Sequence, residues 1–356
     1  MLWLYYRRER QRHTHDVARV KNTHYTQQVA WSTLHPEVFS SLLDSIPLTH
    51  PDIVQWKEHI HSHVVGLDGL IHTLCVGLLT WTHVLIEWVP GLAKTKTVHV
   101  LAQLLDVSYK RIQFTPDMLP SDITGSEVYH PETKTFDIVP WPIFAHIVLA
   151  DEINRSTPKV QAALLEAMQE QQVTIWGKTL PLPSPFFVLA TQNPLEQEGT
   201  YVLPEAQVDR FLCKVLVTYP SADQEQAMVR MLEQTDTERV EAVMSSADEL
   251  LAHQARVKQV TISDALVAYI VRLVDATRQS SWLRYGASPR ASLAMVAMAK
   301  ALAYMADRSE VEVGDIHAVA VSVLRHRVSP TYQAGQEVGD VDRILQRLLS
   351  TVPLIG

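Results

Sequence analysis

The chain has 356 residues, beyond the roughly 250–300 at which one hydrophobic core stops growing, so two domains are expected. Its 47% hydrophobic and 20% charged content is that of a soluble globular protein. The formal net charge of −8 argues against a dedicated nucleic-acid binder, which carries a basic surplus, while leaving room for a small basic patch.

Residues 1–50 show a basic start, scattered histidines and no clear period, and an irregular N-terminal extension is expected. The opening Met-Leu-Trp-Leu-Tyr-Tyr-Arg-Arg places apolar residues before basic ones, the reverse of a secretory signal. From residue 53 to 80 the apolar spacing predicts helices around a turn at residues 64–69. The most apolar stretch, residues 70–93, is interrupted by His72, His83, Glu87, Pro90 and Gly91. A membrane span needs about twenty apolar residues without such breaks, so a helix, a turn and a strand are expected. Cys75 and Cys213 lie in apolar surroundings and suggest buried thiols in a reducing cytosol. A cytoplasmic location is the expectation.

Strands are predicted at residues 84–86, 109–114, 147–150, 187–191 and 214–218, and helices at 95–105 and 160–169. Strands alternating with helices imply an α/β fold with a parallel sheet covered on both faces. Residues 128–141 and 173–183 place turn chemistry between β-type arms and predict two projecting hairpins. After Tyr219-Pro220-Ser221 the pattern becomes helical: Leu266, Ile270, Leu273 and Val274 share one face. Ser288-Pro289 supplies an N-cap and first-turn proline to a helix running through residues 291–305. The expected domains are an extension over 1–50, a nucleotide-binding αβα domain over 51–220 and an all-α lid over 221–356.

Four segments carry chemistry. In Val84-Leu-Ile-Glu-Trp-Val-Pro-Gly-Leu-Ala-Lys94-Thr95 a strand breaks at Pro90 and Gly91 before a helix opens on Lys-Thr. Such a phosphate-binding loop holds polyphosphate on backbone N–H groups and a helix N-terminus, with lysine on the outer phosphates and threonine on Mg²⁺. Against the pattern G-x-x-x-x-G-K-[ST], Trp88 replaces the first glycine and Ala93 the second. Ile147-Val-Leu-Ala-Asp151-Glu152 delivers two acids to a strand's C-terminal edge: Asp151 suits Mg²⁺ and Glu152 suits polarising an attacking water. A helix cap would use the same residues. Asn193, ending an apolar strand before Pro194, can orient that water or start a turn. Arg210 and Arg290 near structural boundaries can stabilise a phosphoryl transition state or form surface ion pairs.

From about Val64 to Arg327 the chain closely resembles the MoxR-type AAA+ ATPases. The resemblance is carried by Pro90-Gly-Leu-Ala-Lys-Thr, Arg111-Ile-Gln-Phe-Thr-Pro-Asp, Leu149-Ala-Asp-Glu-Ile-Asn-Arg155, Ala190-Thr-Gln-Asn-Pro-Leu-Glu-Gln-Glu-Gly-Thr-Tyr201, Leu203-Pro-Glu-Ala-Gln-Val-Asp-Arg-Phe211 and Gly286-Ala-Ser-Pro-Arg-Ala291. It implies an ATP-hydrolysing αβα domain followed by a helical lid, assembled as a ring, commonly hexameric. It places Pro90, Gly91, Leu92, Ala93, Lys94, Thr95 and Lys96 around phosphate, and Val65 and Gly66 near adenine. Thr95 and Asp151 serve Mg²⁺, Glu152 activates water, Asn193 becomes sensor 1, Arg210 the finger offered to a neighbour and Arg290 sensor 2. Arg155 would bridge subunits or form an intramolecular ion pair. The hairpins match inserts that face client proteins in related motors. Family members resemble chaperones acting with von Willebrand factor A domain partners to remodel or mature client proteins.

Tryptophan stands where that family has glycine, at Trp81, Trp88, Trp141 and Trp176. Glycine permits positive φ and close backbone approach. Either Trp88 weakens nucleotide binding, or the loop adapts around it, or codons read as tryptophan encode glycine in the source organism. Two other function classes remain: a nucleotide-insensitive scaffold with a degenerate loop, and a DNA-dependent motor, which the net charge disfavours.

Overall fold

A computed structural model describes residues 46–64, 67–88, 94–130, 132, 135–139, 142–193, 200–217, 219–234 and 247–354. The chain divides into compact units on either side of the Val260–Thr261 junction.

The first unit opens with α1 (Pro51–His61) and α2 (Asp68–Thr80), then β1 (Val84–Trp88), α3 (Lys94–Leu104) and β2 (Tyr109–Gln113). There follow α4 (Ser121–Thr124), the hairpin β3 (Ser126–His130) and β4 (Thr135–Val139), then β5 (Ile147–Asp151) and a 3₁₀ turn at Ile153–Arg155. Next come α5 (Pro158–Glu170), the hairpin β6 (Gln172–Ile175) and β7 (Lys178–Pro181), β8 (Phe187–Gln192), α6 (Glu205–Val208) and β9 (Cys213–Val217). Finally α7 (Ala222–Gln234) and α8 (Ala247–Gln259) complete it.

Five strands form one sheet in the order β2-β5-β8-β1-β9. Every pairing is parallel, as the alternation of strands and helices requires. Successive side chains on a strand point to opposite faces. Leu85, Val148, Ala150, Val188 and Ala190 accordingly join the core that includes Val160, Leu164 and Leu165 of α5. Their neighbours Val84, Ile86, Leu149 and Leu189 are buried too, so both faces of the sheet are covered. Helix α2 is buried along Leu70–Leu79 without a polar stripe. It runs so close to the sheet that a Cβ on Gly77 would lie 2.8 Å from Phe187 and 2.9 Å from Val84. A side chain there would force Phe187 or Val84 to shift.

His83, just before β1, fastens three elements. Its Nδ1 accepts from Val188 N at 3.0 Å and its Nε2 donates to Met168 O at 3.2 Å, a pairing that suits the neutral ring. Burial pushes its pKa down to about 4.

The two antiparallel hairpins are present, as the turn chemistry predicts. Trp176 has φ 49° and Gly177 φ 79° in the β6–β7 turn; Trp81 closes α2 in left-handed backbone at φ 54° and ψ 50°. Positive φ is therefore required at two of the four tryptophan positions. Trp88 instead ends β1 as a buried strand residue, and Trp141 lies outside the described residues.

The second unit is helical: α9 (Asp264–Gln279), α10 (Pro289–Met305), α11 (Val313–Leu324), α12 (Tyr332–Glu337) and α13 (Val341–Leu349). A small antiparallel pair, β10 (Leu283–Tyr285) with β11 (Ser329–Pro330), joins them. Ser288 Oγ accepts from Arg290 N at 3.2 Å at the start of α10, giving the expected N-cap.

Candidate active site

The sheet order puts the C-terminal ends of β5, β8 and β1 side by side, the edge where ligands bind in parallel α/β sheets. Asp151 ends β5 and is 1% exposed. Burying a carboxylate demands compensation, and two side chains supply it. Thr191 Oγ1, on β8, donates to Asp151 Oδ1 at 2.7 Å. Arg111, on β2, donates to Asp151 Oδ2 from Nη2 at 2.6 Å and from Nε at 3.2 Å.

Glu152 leaves the strand in left-handed backbone, φ 59° and ψ 51°. Such a conformation in a non-glycine residue costs about 1–3 kcal/mol and clusters at functional sites. Its backbone N donates to Thr191 Oγ1 at 2.9 Å, so one hydroxyl orients both acids. Its carboxylate accepts from Gln113 Nε2 at 2.9 Å and pairs with Arg155 Nε at 2.9 Å. Of the two expectations for Arg155, the structure displays the intramolecular pair.

Asn193 follows β8 and is buried. Its carbonyl accepts from Asn154 Nδ2 at 3.3 Å, while Asn154 O accepts from Tyr201 N at 2.7 Å. Gln161 Nε2 then bonds Tyr201 O, Ile153 O and Ser156 O at 3.0–3.2 Å. These bonds tie the segments after β5 and β8 together.

Lys94, Thr95 and Lys96 form the first turn of α3, the helix that follows β1. Val65, Gly66, Pro90, Gly91, Leu92 and Ala93 lie outside the described residues. Arg210 follows α6, and its Nη1 donates to Leu165 O at 3.0 Å. Arg290 belongs to the helical unit, exposed in the first turn of α10. Asp151, Glu152 and Asn193 thus gather at one edge of the sheet, with Lys94 and Thr95 opening the helix after the neighbouring strand.

Sequence reasoning gave no role to Arg111, Gln113 and Thr191. The signal was present in β2, where Arg111 and Gln113 alternate with buried Ile112. A polar pair on one strand face, in register with Leu149 and Asp151 of β5, faces the same edge.

A parallel sheet with two acids at this edge, a helix opening Lys-Thr after β1, and a following helical unit define the AAA+ architecture. Residues 83–213 match the ATPase family associated with various cellular activities, and residues 275–348 match the AAA lid domain. Chaperone MoxR1 of Mycobacterium tuberculosis is 45% identical over 82% of this chain and 79% of its own length. An uncharacterised protein of Bacillus subtilis, YeaC, is 43% identical over 85% and 95%. Protein MoxR of Methylorubrum extorquens is 28% identical over 84% and 94%. The crystal structure of a provisionally assigned ATPase of Cytophaga hutchinsonii superposes with a TM-score of 0.80 at 42% identity, over 85% of this chain and 94% of that one. The chain belongs to the MoxR-type AAA+ ATPases.

Proposed function

We propose that this protein binds and hydrolyses ATP between subunits of a homo-oligomeric ring, a hexamer, and couples the cycle to remodelling of a client protein. The single observation that carries the reading is the Thr191 hydroxyl, which binds both the Asp151 carboxylate and the Glu152 N–H and so aims two acids from one strand end. The donor chemistry fits Mg²⁺, a hard cation that takes oxygen ligands: the Asp151 carboxylate at the sheet edge and the Thr95 hydroxyl in the first turn of α3. When bound, Mg²⁺ supplies charge neutralisation at the phosphates.

The chain's own residues divide the remaining work. Lys94 and Lys96, with the backbone of Pro90, Gly91, Leu92 and Ala93, hold phosphate, and Val65 and Gly66 border adenine. Glu152 accepts a proton from the attacking water, which Asn193 orients. Arg210 reaches a neighbour's site and Arg290 acts from the helical unit, both stabilising developing negative charge. Arg111 and Gln113 hold the two acids in a resting arrangement and must loosen for Asp151 to serve the metal and Glu152 the water. The hairpins β3–β4 and β6–β7 offer surfaces to clients. A von Willebrand factor A domain protein is the expected partner, in the cytoplasm. Among the described residues no helix is long and apolar enough to cross a membrane.

Turnover and ATP binding measured separately test this reading. Glu152→Gln should retain ATP affinity and lose at least about a hundredfold in turnover, the scale of one lost charge-handling group. Unchanged turnover removes Glu152 from its role. Arg210→Ala should abolish turnover with affinity kept, and mixing it with Glu152→Gln subunits should restore part of the activity if the finger acts across the interface. Absence of saturable heat on adding ATP and Mg²⁺ to the protein would leave only a scaffold.

A further inference from the structure

His50, Asp52 and His253 converge where the start of α1 meets the middle of α8, away from the β5 and β8 strand ends in sequence and in element. The His50 carbonyl accepts from Val54 N at 3.0 Å, which fixes the residue at the mouth of the helix. Asp52 Oδ2 lies 3.8 Å from His50 Nδ1 and 3.7 Å from His253 Nε2, and a donor atom from each residue falls within 4.8 Å of the others. The two distances from Asp52 are too long for direct hydrogen bonds. Both approach the edge of a coordination tetrahedron, about 3.4 Å for ligands 2.0–2.1 Å from a central ion.

We propose that His50, Asp52 and His253 form a site for a borderline divalent transition ion, Zn²⁺ first, with the remaining position open to water beside the half-exposed Asp52. Two imidazoles and one carboxylate select such ions over Mg²⁺, which prefers oxygen donors and keeps its own waters. His253 is 3% exposed, and the Trp56 ring stands edge-on to it at 5.4 Å, so an apolar wall shields one side. An ion here joins α1 to α8, and α8 itself packs on α2, where Gln254 Nε2 donates to Leu78 O at 2.6 Å. Its effect is to brace the helical flank of the sheet unit.

The test uses the full chain without an affinity tag, stripped with chelator and free of nucleotide and Mg²⁺, titrated with Zn²⁺ by calorimetry and with Co²⁺ by visible absorption. Expected are one equivalent of Zn²⁺ that raises Tm and Co²⁺ bands of tetrahedral type. His253→Gln and Asp52→Asn should each weaken that binding at least tenfold and lose the Co²⁺ bands, with helical circular dichroism unchanged. Binding of equal strength in both variants would assign the ion to other histidines and overturn the site, as would no saturable binding by the parent.

A different observation carries a second inference. Trp81 and Trp176 both stand in left-handed backbone, where a side chain other than glycine costs about 1–2 kcal/mol. Trp176 takes the first position of a two-residue turn with positive φ at both residues, a place for asparagine, aspartate or glycine. Its indole is 80% exposed, so no packing offsets the strain. Trp88 occupies the first glycine position of the phosphate-loop pattern, and the chain holds only twelve glycines against eight tryptophans. We infer that the codons for positions 81, 88 and 176 are reassigned in the source organism and deliver glycine. Trp56, within α1, and Trp282, whose ring lies under the Arg347 guanidinium at 5.1 Å, have neither positive φ nor a place in the phosphate-loop pattern and serve as controls. Peptide mass spectrometry of the protein from its own source, beside the gene sequence, decides the matter. Glycine at 81, 88 and 176 from a codon unlike that of Trp56 and Trp282 is expected. The ordinary tryptophan codon throughout, with indole in the native peptides, overturns it.

Discussion

Asp315 in the helical unit and Asp151 at the sheet edge are both buried carboxylates facing an arginine, yet their hydrogen bonds are distributed differently. Arg308 straddles Asp315, Nη1 reaching Oδ2 at 3.0 Å and Nη2 reaching Oδ1, while Glu312 N donates to Oδ2 at 2.8 Å. Both oxygens are engaged by a planar fork, and the aspartate closes a capping box at the start of α11. Burial still raises the Asp315 pKa above its ordinary value, with Arg308 pulling the other way. At Asp151 the two guanidinium bonds converge on one oxygen, and the other is held by a neutral hydroxyl. The Arg308 side chain is 28% exposed and that of Arg111 44%. The Asp315 pair uses both oxygens; the Asp151 pair, which the proposed cycle requires to open, leaves its arginine half in water.

Four measurements would break or sharpen that contrast. Removing the closed pair's cation with Arg308→Ala strands a buried charge and should cost about 3–5 kcal/mol in urea unfolding. A loss below 1 kcal/mol would make the two pairs equivalent. His83 adds a buried polar group with two partners and no charge. Its pKa is depressed from 6.5 to about 4, so the unfolded chain takes up the proton first as pH falls. Its contribution is complete above pH 6.5 and about 3 kcal/mol is lost as pH falls toward 4. His83→Phe should flatten that acid slope, and an unchanged slope would assign it to other groups. Asp151→Asn should lower ATP turnover about a hundredfold, near 2.7 kcal/mol, with little change in Tm. Full turnover in that variant would end the assignment of Asp151 to Mg²⁺. Smallest is the effect of Arg111→Ala on stability, below about 1 kcal/mol for so exposed a partner. A loss comparable to that of Arg308→Ala would mean that the sheet-edge pair is also a fixture.

Much of the sheet unit was legible because apolar runs ending in polar residues mark strands that deliver side chains to an edge. Ile147–Asp151 and Phe187–Gln192 are of that kind, whereas the tight approach of α2 at Gly77 is visible only once the helix lies on the sheet. The polar network was not, since Thr191 sits inside an apolar run and its hydroxyl matters only once β8 lies beside β5. Pairings such as Gln113 with Glu152, thirty-nine positions apart, exist only through the parallel register. His83 was equally opaque: a histidine before a strand gives no hint of partners on β8 and α5. In the helical unit the caps at Ser288 and the apolar face of α9 could be read directly, because both are local.

Helix α8 ends one residue before the junction of the two units, yet it packs on α2, a helix buried along Leu70–Leu79. A proteolytic or recombinant fragment meant to isolate nucleotide binding from the helical unit should therefore retain everything through Val260. Trimmed earlier, it would lay bare the apolar flank beside Leu78 and invite self-association that could be mistaken for ring assembly.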